Sequence, residues 1–187
     1  MIKFSPKNLI IITGPSGVGK TSVALELLKK HKNIKRLITY TTRPLRPNEK
    51  NGRDYNFTSE KNFKEMIKKG ELFEWAKVYG NYYGNCLADL KNICEKNKFC
   101  LLVLDIQGAE KIKKKFPPAR GIFLTTDFAE LAKRLIKRGK MKKEDFALRQ
   151  KIAKEEFSKA KFFDYAIDNK PGKLKEAVKE IEKILLK

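Results

Sequence analysis

Short apolar runs alternate along this chain with longer stretches in which apolar residues recur every three or four positions. Leu9-Ile10-Ile11-Ile12 is continuous and of strand length, the pattern of a strand buried on both faces. Comparable runs predict strands at 34–39, 100–105, 120–125 and 164–168. Helical spacing predicts helices at 19–31, 60–69, 87–97, 108–115, 127–138, 144–160 and 172–186. In the first helix Val23, Leu25, Leu27 and Leu28 are the expected buried face. Strands and helices in alternation imply an α/β fold, a parallel sheet with flanking helices. Two stretches interrupt it. Residues 40–86, rich in Thr, Arg, Asn, Gly and aromatics, read as an inserted lobe with short strands. Residues 138–149 (RGKMKKEDFALR) carry many charges and few apolar residues, which suits a helical, mobile lid. The expected organisation is a single domain over 1–187: a core from 1–38, 87–137 and 150–187, the lobe at about 39–86, and the lid at about 138–149.

Composition narrows the class. A chain of 187 residues buries about 70% of its unfolded surface, so a core forms without staples. Cys86, Cys94 and Cys100 are odd in number and lack metal-ligand spacing, so reduced thiols and a cytoplasmic location are expected. No apolar stretch approaches the length of a membrane span, no signal-peptide core precedes the first strand, and no membrane partner is expected. His31 is the lone histidine and reads as a surface residue at a helix end, so histidine catalysis is not expected. The net charge of +21 attracts polyanions at low salt. The lysines are spread over helical segments, however, which reads as solvated faces and not as a dedicated nucleic-acid site. Oligomeric state is left open.

Gly14-Pro15-Ser16-Gly17-Val18-Gly19-Lys20-Thr21 fits G-x-x-x-x-G-K-[ST], between a predicted strand and a predicted helix beginning near Ser22. Glycines let backbone N–H groups wrap phosphate oxygens, and the helix N-terminus adds partial positive charge. Lys20 supplies a point charge for the outer phosphates and Thr21 a hydroxyl for Mg²⁺. Asp105 ends an apolar run in the manner of a metal-supporting acid, and Asp105-Ile106-Gln107-Gly108 fits the D-x-x-G of small GTPases, but no N-K-x-D guanine motif accompanies it.

The lobe carries Thr39-Tyr40-Thr41-Thr42-Arg43-Pro44-Leu45-Arg46-Pro47, then Asn51-Gly52-Arg53-Asp54-Tyr55-Asn56-Phe57, Phe73-Glu74-Trp75-Ala76 and Gly80-Asn81-Tyr82-Tyr83-Gly84. Arginine forks match phosphate oxygens, tyrosine hydroxyls add single hydrogen bonds, and an acid in so basic a lobe suits a donor edge of a base. Phe73 and Trp75 read as core residues and Tyr82 as packing. With QGA at 107–109, RL-x-x-RG at 134–139 and FDY-x-x-x-N at 163–169, these motifs resemble the guanylate kinases, from the glycine loop to about Asn169.

The resemblance implies a P-loop NTPase core with an inserted GMP-binding lobe and a helical lid, and transfer of the ATP γ-phosphate to GMP with Mg²⁺. By the same resemblance Gly14 to Ser22, Arg134, Arg138 and Asn169 bind ATP. Arg43, Arg46, Tyr55 and Tyr83 hold the GMP phosphate, and Thr39, Glu74, Asn85 and Asp105 lie at the guanine. Lys20, Arg43, Arg138 and Arg149 are the catalytic cations, and Thr21 is the metal ligand. Four places depart from the family pattern. Val103 stands where an acid is common, Asn85 where Ser or Thr is usual, Lys140-Met141-Lys142-Lys143 where the lid is usually rich in Thr and Glu, and Lys170-Pro171 where the family has an acidic pair. Guanylate-kinase-like scaffold modules share the fold but commonly have degraded phosphate loops; Lys20-Thr21 is intact here.

Overall fold

The computed structural model describes residues 6–78, 80–96, 99–137 and 146–186, with side chains from 150 onward in the last segment. A 3₁₀ turn at Pro6–Asn8 leads into β1 (Leu9–Thr13), α1 (Lys20–Lys30), β2 (Ile34–Arg36), β3 (Tyr40–Thr41) and β4 (Asn56–Phe57). Next come α2 (Glu60–Lys68), β5 (Leu72–Val78), β6 (Asn81–Cys86), α3 (Leu87–Lys96), β7 (Phe99–Val103) and α4 (Ile106–Lys115). The chain finishes with β8 (Arg120–Thr125), α5 (Phe128–Lys137), α6 (Phe146–Ser158), β9 (Tyr165–Asp168) and α7 (Leu174–Leu185).

The main sheet has the order β2-β7-β1-β8-β9, and all its pairings are parallel. Residues of period two divide its faces. Ile10, Ile12, Leu101, Ile122 and Leu124 pack with Val23 and Leu27 of α1, Leu131 and Leu135 of α5, and Val178 and Ile181 of α7. Leu9, Ile11, Cys100, Leu102 and Phe123 pack on the other face with Leu90 of α3, Ile106 and Ile112 of α4, and Phe163. Burial on both faces is why these strands read as unbroken apolar runs.

A second sheet, β4-β3-β6-β5, forms the inserted lobe. Its own small core is Phe63, Leu72 and Cys86, with Tyr82 stacked on Phe63 at 5.4 Å. The chain crosses from one sheet to the other just after β2: Leu37 still bonds to Leu101, whereas Tyr40 and Thr41 already pair with Asn56 and Phe57. The single strand expected over 34–39 therefore ends at Arg36. Helix α4 starts two residues before its expected position because Asp105 caps it, its carboxylate accepting the Gly108 N–H at 2.9 Å. The only histidine ends α1, with its Nε2 2.9 Å from the Glu182 carboxylate on α7.

Two packing expectations fail. Leu25 is 51% exposed, because at 100° per residue it points away from the face that carries Val23 and Leu27. Trp75 is 41% exposed on β5, the edge of the lobe sheet, where strand alternation turns Glu74 and Ala76 inward and Trp75 outward. Phe73 is partly buried against Phe116. All three cysteines are free thiols.

Gly14 follows β1 with φ 137°, and a Cβ there would be driven into the backbone carbonyl of Leu124 on β8. Neither the dihedral nor the strand can yield cheaply. Gly14→Ala is therefore expected to lower unfolding free energy by about 2 kcal/mol or more, measured by urea titration.

Candidate active site

Parallel strands deliver their carboxyl ends to one edge of the sheet, and there the glycine loop turns from β1 into α1. Gly14, Gly17 and Gly19 all adopt positive φ (137°, 92° and 103°), which other residues resist. The loop is gripped from behind. The Val18 carbonyl accepts Asn169 Nδ2 at 2.8 Å and Arg134 Nη1 at 3.1 Å, while Arg134 Nη2 reaches the Asn169 carbonyl and its Nε pairs with Glu130. With that carbonyl turned back, the following amide in the same peptide plane is turned forward. Lys20 Nζ lies over the loop, donating to the Gly14 and Pro15 carbonyls at 2.7 and 3.1 Å.

One cavity of about 570 Å³ runs from this loop to the lobe. Gly14, Ser16, Gly17, Gly19, Lys20, Thr21 and Ser22 line one end. Arg43, Arg46, Tyr55, Tyr83, Thr39, Glu74 and Asn85 line the cavity from the lobe, and Asp105 lines it from just beyond β7, the strand beside β1. The expected site residues thus converge, with exceptions. Pro15, Val18, Arg134 and Asn169 do not line the cavity, and Val18 is fully buried beneath the loop. Arg138, the lid segment as far as residue 145 and the side chain of Arg149 lie outside the described residues, and 146–149 begin α6. Val103, at the place of the usual acid, lines the cavity between the loop and Asp105.

Thr39, Asn85 and Glu74 form a chain of buried hydrogen bonds. Thr39 Oγ1 donates to Asn85 Oδ1 and Asn85 Nδ2 donates to Glu74 Oε2, each at 3.0 Å. Thr39, Asn85 and Glu74 are 4%, 1% and 9% exposed. Asn85 uses one of its two N–H bonds on Glu74 and fixes which way that carboxylate faces. Burial pushes the Glu74 carboxyl up to about 7; Asp105 adds to the rise, and Asn85 and Lys111 oppose it. Arg43 Nη2 donates to both Glu49 oxygens at 2.8 and 3.0 Å, and the Arg43 Cζ lies 5.3 Å from the Tyr55 ring centre. Burial works against the Arg43 charge, but Glu49 outweighs it and holds the guanidinium above its ordinary value. Glu49 also accepts the Arg46 N–H, so one acid orders both arginine positions.

Six charged lining residues were not assigned to the site from sequence: Arg36, Glu49, Asp54, Lys77, Glu156 and Lys159. Arg36 ends β2 at the ligand-binding edge of the sheet, a positional signal the sequence held. Glu49 follows the two arginines closely, as a partner in a tight turn would, but its pairing depends on the turn's shape.

Strand, loop and helix place the chain among the P-loop α/β phosphotransferases. Comparison with known proteins resolves the family. The family model described as guanylate kinase matches residues 6–187. The guanylate kinase of Prochlorococcus marinus subsp. pastoris is 43% identical over 180 residues, 96% of this chain and 97% of that protein. That of Thermotoga maritima is 37% identical over 178 residues, 95% and 85% of the two chains. A crystal structure of guanylate kinase from Anaplasma phagocytophilum superimposes with a TM-score of 0.75 at 31% identity, covering 95% of this chain and 82% of that one. The chain belongs to the guanylate kinase family. No helix among the described residues is long and apolar enough to cross a membrane.

The buried carboxylate has a consequence for stability. With its folded pKa raised from 4.5 to about 7, Glu74 binds its proton more tightly in the folded protein than in the unfolded chain. Its burial costs nothing below about 4.5 and destabilises progressively as pH rises through that window to about 7. Glu74→Gln should remove this component, so that the mutant gains stability relative to wild type between pH 5 and pH 8. Melting temperatures of both proteins at the two pH values check it.

Proposed function

We infer that this protein transfers the γ-phosphate of ATP to GMP, giving ADP and GDP, in purine nucleotide metabolism and in the cytoplasm. The observation that carries the reading is one cavity lined by the phosphate loop, by the buried Glu74 and by arginines and tyrosines of the lobe. Guanine offers two adjacent donors, N1–H and the N2 amino group, and an ionised carboxylate can accept both. Glu74 presents its Oε1 edge while Asn85 holds Oε2. Thr39 and Asn85 stand near where the base edge would lie, with Asp105, whose Oδ1 is engaged in capping α4.

The acceptor is a phosphate oxygen already ionised near neutral pH, so no general base is needed, and catalysis rests on position and charge. Lys20 would leave the loop carbonyls for the β- and γ-phosphates. Arg43, held edge-on by Glu49 and face-on by Tyr55, would stabilise the transferring group together with Arg138 and Arg149 of the lid segment. Arg46, Tyr55 and Tyr83 would hold the GMP phosphate. Arg134 and Asn169 would act on ATP by keeping the loop's carbonyl turned away and its amides turned inward, the geometry given above. Lobe at about 39–86 and lid at about 138–149 would close over the core to exclude water.

Thr21 and Asp105 line the cavity, and no cluster of three or more His, Cys, Asp or Glu among the described residues could hold a metal. That donor set fits Mg²⁺ arriving on ATP and retaining several waters, with Thr21 as its protein ligand. Bound there, it would neutralise charge on the β- and γ-phosphates.

Two measurements test the reading. Lys20→Ala should fold normally and lose several powers of ten in turnover, because a preorganised charge partner disappears from a water-poor site; a folded variant within tenfold of wild type would remove Lys20 from the mechanism. With AMP, Glu74 would face a lone pair and a C–H, and a site built on such hydrogen bonds rejects the wrong base by about 10⁴. Glu74→Gln should lower kcat/KM for GMP steeply and narrow the GMP-to-AMP ratio, read from both acceptors at fixed Mg·ATP. Equal use of AMP and GMP by wild type would refute the substrate assignment.

A further inference from the structure

Arg36 belongs to none of the sequence motifs, yet it lines the cavity beside Asp54 and Tyr55. It stands at the carboxyl end of β2, the edge strand next to the lobe. Its Nη2 donates to the Asp54 backbone carbonyl at 3.0 Å, and its Nε is buried with no hydrogen-bond partner. The neighbouring Asp54 carboxylate is spent elsewhere, on Arg53 at 2.6 Å and the Lys50 N–H at 2.9 Å. A guanidinium in this position is costly, because its charge has left water without an ion-pair partner. Burial pulls its pKa down, with Tyr55 and Asp54 opposing, but it stays charged at neutral pH.

Charge bookkeeping in the cavity points to what the residue awaits. Arg43 is balanced by Glu49 and Arg53 by Asp54. Of the arginines that line the cavity, Arg36 and Arg46 remain, two positive charges, where a nucleotide phosphate carries nearly two negative ones at neutral pH.

We propose that Arg36 is a further binding residue of the acceptor-phosphate subsite, pairing beside Tyr55 with the phosphate of the nucleoside monophosphate. It supplies, with Arg46, the net charge that Arg43 cannot. Arg43 then contributes orientation and donors, and Arg36 contributes uncompensated charge in a desolvated place, where an ion pair is strongest. The proposal rests on GMP being the acceptor.

The test is Arg36→Met, which keeps length and removes charge. The expected result is a rise of about tenfold or more in KM for GMP with KM for ATP within twofold. Calorimetric titration should show the same loss for GMP and none for guanosine, which has the base and no phosphate. Without nucleotide, the variant should melt at or above the wild-type temperature, since a buried cation lacking a partner is gone. Unchanged affinity for GMP would overturn the proposal. Equal losses for guanosine and GMP, or a lower melting temperature with both KM values raised, would make Arg36 a framework residue and overturn it too. Failure of the GMP reading itself is separable, because wild type would then show no GMP-dependent ATP consumption before any variant is made.

Discussion

The direction of one carbonyl governs the phosphate end of this site. Peptide planarity sets a C=O and the next N–H on opposite sides, so a loop can aim its amides at an anion only if its carbonyls have partners behind it. Here the Val18 carbonyl finds two, Asn169 from the turn after β9 and Arg134 from α5. Glycines at 14, 17 and 19 permit the dihedrals this requires, and the Leu124 carbonyl and Asn169 amide stand where side chains on Gly14 and Gly19 would be. The loop is thus a packed element. Its shape is imposed by β8, β9 and α5 as much as by its own sequence, and whatever moves α5 acts on the loop through Arg134.

The lobe follows another physical logic. Glu74 is an acid whose charged form burial disfavours, tied by Asn85 and Thr39 into a line of hydrogen bonds that holds one of its oxygens. Such a network costs stability, and in return presents a fixed acceptor edge in a medium where hydrogen bonds are strong. The Asn85 amide grips Glu74 directly. In the same lobe, Arg43 and Glu49 form a neutral unit that sets direction without net charge. Tyr55 closes one side of it, its ring against both Arg43 and Tyr83.

Outside the cavity, charge serves a different purpose. Several ion pairs, such as Lys64 with Glu60 and Lys173 with Glu176, are solvent-exposed and contribute little to stability. The surplus of 21 positive charges governs solubility and the attraction of anions, phosphate substrates included, rather than the fold.

Sequence alone determined the framework. The apolar runs of β1, β7 and β8 had to be buried on both faces, and the glycine loop between strand and helix could serve a phosphate with few alternatives, because local spacing fixes both. The lobe motifs pointed to Arg43, Arg46, Tyr55, Glu74 and Tyr83 through their resemblance to the guanylate kinases, and all five line one cavity. What sequence could not contain was partnership across distance. That Trp75 faces solvent depends on which face of the lobe sheet is left uncovered at its place on β5, which strand alternation alone does not say. That Arg134 and Asn169 grip Val18 across 116 and 151 residues, that Glu49 claims Arg43, and that Arg53 claims the Asp54 carboxylate beside Arg36, depends on where the chain returns to itself. Hydrophobic periodicity is local and survives in the sequence, whereas hydrogen-bond and charge pairing of single side chains is decided by contacts that exist only once the chain has folded.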